Sequence, residues 1–325
     1  MDIAAYLQLI ETSFAEYSKA LPQNPPGLYD PIRYTLSLPG KRMRPLLVLM
    51  GAGMFSEDVK RAISAAKSVE LFHNFTLLHD DIMDKAPLRR GQPSVHKKWD
   101  NNVAILSGDA MYTESFRQIA QCPPGNLPVI LELFTQTALQ VCEGQQLDMD
   151  FETRTQVSIA DYLNMISLKT AVLLAASLEI GALCVNASPE EAKKLYAFGK
   201  HVGVAFQLQD DILDVYGESG KVGKTNGGDI LSNKKTILLL QALALASNYQ
   251  KEELQNWMNV SSADARAKVE GVKALYDALD VRRLAVAEMR KYFDKGIAEL
   301  ESIDALAAKK DVLREWVEGL MGRER

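Results

Sequence analysis

Two short acidic runs stand where folding alone gives no reason to put them. Asp80, Asp81 and Asp84 close the segment LLHDDIMD, and Asp210, Asp211 and Asp214 close QLQDDILD. On a helix, residues four apart share a face, so Asp80 pairs with Asp84 and Asp210 with Asp214. Like charges at that spacing cost an isolated helix roughly 0.2–0.5 kcal/mol per pair. Both runs follow apolar stretches, near the C-terminal ends of expected helices, where the macrodipole also disfavours anions. A bound cation reverses the sign. Hard divalent ions take oxygen ligands, and magnesium is held by a few carboxylates together with substrate phosphates. A single DDxxD is commonly a solvated acidic face. Two copies, each with an apolar lead-in and basic residues close by, read as paired metal sites.

The basic residues fall in clusters of their own. Lys41, Arg42 and Arg44 sit in PGKRMRP, and Arg89 and Arg90 follow the first acidic run in APLRRGQP. Lys169–Thr170 interrupts an apolar segment, where a lysine has little structural use. Gly223–Lys224 and Lys234–Lys235 follow the second acidic run. Arginine forks suit diphosphate oxygens, and lysines supply point charges. His73 lies two helical turns before Asp80, on roughly the same face. His79 adjoins the acidic run and is expected either to support the groups that bind there or to be structural. His96 and His201 carry no signal.

Helical periodicity dominates the segments that must position these groups. Ala, Leu, Glu, Lys and Gln recur, and strand-like alternation is scarce. Breaks are expected at Pro22–Gly27, Pro39–Gly40, Ala86–Pro93, Cys122–Pro128, Asn186–Pro189 and Gly217–Gly228. Ser56 and Ser188 are expected N-caps, Ser188 with Pro189 at the first helical position. LLHDDIMD and QLQDDILD echo each other over too short a length for a solenoid. The echo suggests two helices offering the same chemistry from opposite walls of a cavity. No flexible linker is evident, so one domain spanning residues 1–325 is the expectation.

The chain has 325 residues, 47% hydrophobic and 24% charged, and a net charge of −5. That is ordinary globular composition. No basic stripe interleaved with aromatics is present, which argues against nucleic acid as a partner. Cys122, Cys142 and Cys184 form neither a disulfide framework nor a zinc spacing, and buried thiols are expected. The first residues lack a basic region of signal-peptide type. The apolar runs near Ala171–Ser177 and Ile237–Ala246 fall short of a membrane span. A cytoplasmic location is expected.

Taken together, these residues resemble the trans-isoprenyl diphosphate synthases, also called polyprenyl synthetases. The resemblance runs from about Ser37 to Thr236. It includes GKRMRP (Gly40–Pro45), ELFHNFTLLHDDIMD (Glu70–Asp84), RRGQPSVH (Arg89–His96), SGDA (Ser107–Ala110), KT (Lys169–Thr170), FQLQDDILD (Phe206–Asp214) and GKTNGGDILSNKKT (Gly223–Thr236). One departure is Pro39, where the family usually has a second glycine. The resemblance implies an all-α isoprenoid synthase fold, with about ten core helices around a deep central cavity. It implies a homodimer and three magnesium ions, with Asp80 and Asp84 holding two ions, Asp210 the third and Asp214 nearby. It implies that Arg89, Lys169 and Lys224 grip an allylic diphosphate. Lys41, Arg44, His73 and Arg90 would hold isopentenyl diphosphate. Phe206, Thr170 and Gln207 would line the reacting centre, and Lys234 would contribute to substrate binding.

The reaction so implied joins isopentenyl diphosphate head to tail to an allylic diphosphate. The Gly217–Gly228 segment is a candidate lid. Phe75 and Thr76 precede Asp80 by about a turn, so an aromatic there can act as the floor for the growing chain. Products of fifteen or twenty carbons are expected, with Phe75 and Thr76 leaning toward twenty; Met111 or Tyr112 could raise the floor. A terpene cyclase, a squalene-type condensing enzyme and a non-catalytic subunit are the alternatives. The second DDILD and GKRMRP argue against a cyclase, squalene-type enzymes carry different acidic motifs, and no metal ligand is missing as a silent subunit would require.

Overall fold

The structure, a computed structural model, describes residues 2–217, 227–260 and 264–322. It is all-α, as the periodicity requires. Sixteen α-helices are present among the described residues, and the accompanying sheet is one pair of two-residue strands. In chain order the first six are α1 (Ile3–Ala20), α2 (Pro26–Ser37), α3 (Met43–Phe55), α4 (Ile63–Met83), α5 (Val95–Lys98) and α6 (Asn101–Ile119). Next come α7 (Leu127–Thr153), α8 (Ile159–Ile166), α9 (Val172–Cys184), α10 (Pro189–Tyr216) and α11 (Gly228–Leu231). The last five are α12 (Ile237–Leu245), α13 (Asn248–Met258), α14 (Ala265–Ala278), α15 (Val281–Ser302) and α16 (Ala307–Met321).

Local chemistry explains where the helices begin. Asp2 and Asp100 accept from the first-turn amides of α1 and α6, satisfying donors that have no partner within the helix. Ser158 and Asp161 form a capping box on α8, and Ser247 and Gln250 form another on α13. Ser188 Oγ accepts from Glu191 N–H at 3.2 Å, with Pro189 opening α10. Ser56 behaves otherwise than expected. It ends α3 in extended conformation, and its hydroxyl accepts from Asp58 N–H, because a 3-10 turn intervenes before α4.

The chain packs as two compact units. The first comprises residues 1–136, 176–196 and 304–310. Its core includes Ile10, Ile32, Leu49, Met50, Phe72 and Phe134, all essentially inaccessible. The second comprises residues 137–175, 197–303 and 311–325. Its core is built on Tyr162, Leu208, Ile212, Leu238, Val272 and Tyr276. Each fully buried aliphatic or Phe side chain contributes about 1.5–3 kcal/mol.

The apolar run near Ala171 proves to be part of a longer rod, Ile159–Cys184, which passes the length and hydropathy test for a membrane helix. In its most apolar window 83% of the residues are buried inside the chain, as in the core helix of a globular protein. Cys122 and Cys184 are buried as expected, but Cys142 is exposed.

Candidate active site

In the first unit, α4 carries the first acidic run at its C-terminal end, and Asp84 is its C-cap. The run divides by burial. Asp81 is 3% exposed and faces Arg89, whose Nε lies 2.9 Å from Asp81 Oδ1. Burial pushes the Asp81 carboxyl up in pKa, and the guanidinium of Arg89 pulls it down. Arg89 also reaches Asp80 Oδ2 at 3.3 Å. Asp81 is therefore committed to protein structure, while Asp80 is half-buried and Asp84 exposed.

Arg89 is delivered by a hairpin too short to show in any alternation pattern. Leu88 pairs with Pro93 and Arg89 with Gln92. Arg90 and Gly91 make the turn with φ of 54° and 76°, the two positive values of a I′ turn. Glycine takes that conformation freely; Arg90 is strained in it.

A cavity of about 490 Å³ opens beside this hairpin, lined by Pro39, Gly40, Lys41, Arg42, Arg44, Glu70, His73 and Arg90. Arg42 is spent on architecture. It is 6% exposed and pairs with Glu70 at 2.9 Å and Glu11 at 3.0 Å, and donates to Leu36 O at 2.7 Å. This holds its left-handed backbone, φ 47°, at the start of α3. Arg44 keeps a donor unspent. Its Nη1 donates to His73 Nε2 at 3.0 Å, and its Nε is buried without a hydrogen-bond partner among the described residues. Burial lowers Arg44 to about 10, which leaves it charged at neutral pH.

His73 accepts from a permanent cation, so its Nε2 must carry a lone pair. Burial, then Arg44 and Arg90, hold its pKa well below the ordinary value. Gly40 makes room for Arg90: a Cβ there would lie 2.8 Å from Arg90 Nη1. Pro39 lines the same cavity, so the departure from the family pattern leaves the basic loop assembled. With Glu70 already paired, the net character of the cavity is cationic, suited to a phosphate or diphosphate.

Deeper along α4 is an aromatic cluster. Phe75 meets His79 at 4.8 Å, Tyr112 at 5.0 Å and Phe72 at 5.6 Å between ring centroids. Phe116 and Phe134 continue it. Thr76 bonds back to His73 O, and Met111 is wholly buried in α6. His79 is structural, with Nε2 3.2 Å from Ile105 O.

In the second unit, Lys169 and Thr170 lie on a π-helical turn, Ser167–Ala171, between α8 and α9. Such turns are rare and tend to mark functional sites. Glycines on two flanking helices let the backbones close on it. A Cβ at Gly144 of α7 would lie 2.2 Å from Lys169 N, and one at Gly203 of α10 would lie 2.7 Å from Ala171 Cα. Lys169 Nζ reaches Asp148 Oδ2 at 2.6 Å.

Thr170 Oγ1 donates to Gln207 Oε1 at 3.1 Å, and Gln207 Nε2 donates to Asp211 Oδ1 at 3.3 Å. Asp211 is 4% exposed and accepts from the Tyr162 hydroxyl and from Ile237 N–H. Burial pushes its carboxyl up to about 7. The second run thus divides like the first: Asp211 is committed inward, Asp210 is exposed, and Asp214 is half-buried. Asp214 Oδ2 accepts from Asp229 N–H at 2.9 Å. Phe206 is half-buried one residue before Gln207, and Lys234 is exposed. Lys235 instead donates to Phe151 O. Lys224 and most of the expected lid, residues 218–226, lie outside the described residues.

The all-oxygen donor sets suit a hard cation. Among the described residues no three acidic, His or Cys side chains converge as a ready metal cage. Magnesium is commonly held by one or two carboxylates, with phosphate and water oxygens completing the shell. The acidic runs fit that pattern.

Sequence reasoning missed Asp148, Tyr162, Asp229 and the Arg42–Glu70 pair. The acidic residues among them occur singly, without a repeated spacing to draw notice. Asp148, in EGQQLDMD one turn beyond Gly144, had the nearest thing to a signal.

Comparison with known proteins bears on the chain as a whole. The family model "Polyprenyl synthetase" matches residues 25–279. A geranylgeranyl diphosphate synthase of Methanosarcina mazei is 41% identical over 220 residues, covering 67% of this chain and 68% of the relative. A geranylgeranyl pyrophosphate synthase of Geoglobus acetivorans is 36% identical over 306 residues, covering 93% of this chain and 92% of the relative. A crystal structure of a geranylgeranyl pyrophosphate synthase superposes with a TM-score of 0.92 at 42% identity, covering 98% of this chain and 99% of that one. The chain belongs to the polyprenyl synthetase family and is a prenyltransferase.

Proposed function

We propose that this prenyltransferase extends allylic diphosphates with isopentenyl diphosphate, head to tail, and releases mainly a twenty-carbon product. The observation that carries the proposal is the common division of the two acidic runs. In each, the middle carboxylate is buried on protein donors, and the outer two, four residues apart, are more accessible than it is. Asp80 and Asp84 are assigned two magnesium ions, and Asp210 a third with Asp214 nearby. Bound magnesium supplies charge that stabilises the departing diphosphate.

The remaining roles fall to side chains. Arg44, neutral His73, Lys41 and Arg90 hold isopentenyl diphosphate in the cationic cavity. Arg89, Lys169 and Lys224 bind the allylic diphosphate, and Lys234 assists. The allylic C–O bond breaks with its electron pair leaving on diphosphate. The double bond of isopentenyl diphosphate supplies the pair for the new C–C bond, and a proton is lost to the released diphosphate. Thr170 and Gln207 are held by the bonds that end on Asp211 and, with Phe206, line the reacting centre. Positioning both substrates makes the attack effectively intramolecular, and excluding water protects the cation.

Phe75 sets the floor for the growing chain; the twenty-carbon products in the names of two relatives support that length. The chain is proposed to act as one catalytic domain, in a homodimer, in the cytoplasm, without nucleic acid as a partner.

Incorporation of radiolabelled isopentenyl diphosphate into prenyl product tests this reading. It should require magnesium and vanish with a chelator. Asp80→Ala and Asp210→Ala should each lower kcat by orders of magnitude with the helical circular dichroism unchanged. Near-normal turnover of either variant at saturating magnesium would sink the metal assignment.

A further inference from the structure

Lys268 lies outside every motif considered above. It sits on α14 and is 3% exposed, and its ammonium meets neutral oxygens: Asn233 Oδ1 at 2.7 Å and Met258 O at 3.5 Å. Asn233 Nδ2 closes the triangle by donating to Met258 O at 3.0 Å. Burying an ammonium against neutral oxygens is unfavourable, and a methionine of similar shape would avoid that cost. Retaining the charge therefore suggests that geometry is being held.

What it holds is the segment next to the second acidic run. Asn233 has φ 54° and caps the short helix α11. Its N–H bonds Ile230 O at 3.1 Å, and Lys234 N–H bonds Asp229 O at 2.9 Å, the paired closure of a Schellman motif. At the other end of the helix, Asp229 N–H and Gly227 N–H bond Asp214, at Oδ2 and at the backbone carbonyl. Val269, the neighbour of Lys268, packs against Gly227, where a Cβ would lie 2.7 Å from its methyl carbons. The space among Asp229, Asn233, Lys234 and Lys268 is about 10 Å³, room for about one water.

We propose that Lys268 is a positioning residue. Through Asn233 it fixes α11, and α11 in turn orients the Asp214 carboxylate and delivers Lys234. The inference rests on the metal and diphosphate roles proposed above for those two residues. Partners one shell out from metal ligands typically influence affinity or activity about 10–100-fold.

Lys268→Met and Asn233→Gly test it, since glycine keeps the left-handed backbone and removes the side-chain amide, both the acceptor for Lys268 and the donor to Met258 O. Amide exchange at Asp229 and Lys234 should accelerate in both variants while the α4 amides keep their protection. The magnesium concentration for half-maximal rate and the KM for the allylic diphosphate should rise about 10–100-fold. The KM for isopentenyl diphosphate should stay within about twofold of the wild type. The double variant should be little worse than either single one, because both cut one linkage. If Lys268→Met does not fold, Asn233→Gly decides alone. Unchanged exchange at residues 228–236 overturns the proposal. So does faster exchange, or a lower Tm, with both kinetic constants unmoved, which would make Lys268 a stabilising residue only. Failure of the wild type to elongate any primer would refute the functional reading instead, and exchange would still judge the clamp.

Discussion

His73 and Arg44 show how one hydrogen bond fixes a charge state. The guanidinium donates at 3.0 Å, so the imidazole accepts and stays neutral. The folded-state pKa of His73 lies well below the ordinary value of 6.5, because of burial first and the neighbouring arginines second. The unfolded chain therefore binds more protons below about pH 6.5, and stability rises with pH across that window. As pH falls from 7 toward 5, the wild type should lose up to about 1.4 kcal/mol per unit from this group alone. His73→Gln, which cannot titrate, should show a shallower decline in chemical-denaturation midpoints. Equal slopes would mean that His73 is protonated in the folded state.

The same scale marks the limit of sequence reading. The spacing of Asp80, Asp81 and Asp84 shows that two carboxylates share a face. It does not show that Asp81 is the one a protein arginine engages most fully, because that depends on a hairpin residue eight positions later. The distinction between Arg42 and Arg44 was hidden likewise: they are neighbours in GKRMRP, but Arg42 turns to buried Glu70. Lys169 drew notice because a charge in an apolar helix needs a reason, and Asp148 supplies part of it.

At the scale of elements, helices were legible because their apolar period is long and their breaks are marked by proline and glycine. The devices that aim side chains were not. A two-residue hairpin has too few residues to alternate, and a π turn adds one residue without disturbing composition. The π turn depends on Gly144. A methyl there meets the backbone of Lys169 at 2.2 Å, so the bulge must move. Gly144→Ala should cost about 1–3 kcal/mol of stability by overpacking, read as a lower denaturation midpoint, together with a fall in kcat as Lys169 shifts. A variant with wild-type stability and rate would show that the turn tolerates displacement.

The packing of α4 on α6 makes a second prediction at this scale. Phe75 and Tyr112 close on each other at 5.0 Å, and Phe72 backs them. Phe75→Ala removes the phenyl ring that precedes Asp80 by five residues while leaving Asp80 and Asp84 untouched. Product profiles by mass spectrometry should shift to chains longer than twenty carbons with turnover retained. An active variant with unchanged product length would move the floor elsewhere, to Tyr112 first.

For the whole molecule, the fold class and family were readable because the motifs extend from Gly40 to Thr236 in the order the family requires. The C-terminal helices carried only periodicity. Their contribution, seen at Lys268, is through contacts that bring distant segments together and that no local spacing encodes. The functional account rests on one claim: this chain makes carbon–carbon bonds between isopentenyl diphosphate and an allylic partner. The direct measurement is mass spectrometry of products from purified protein, magnesium, ¹³C-labelled isopentenyl diphosphate and unlabelled geranyl diphosphate. The account expects prenyl diphosphates that gain one labelled five-carbon unit at each step and accumulate at twenty carbons. Unconsumed substrates, or geraniol and cyclised products without labelled carbon, would contradict it.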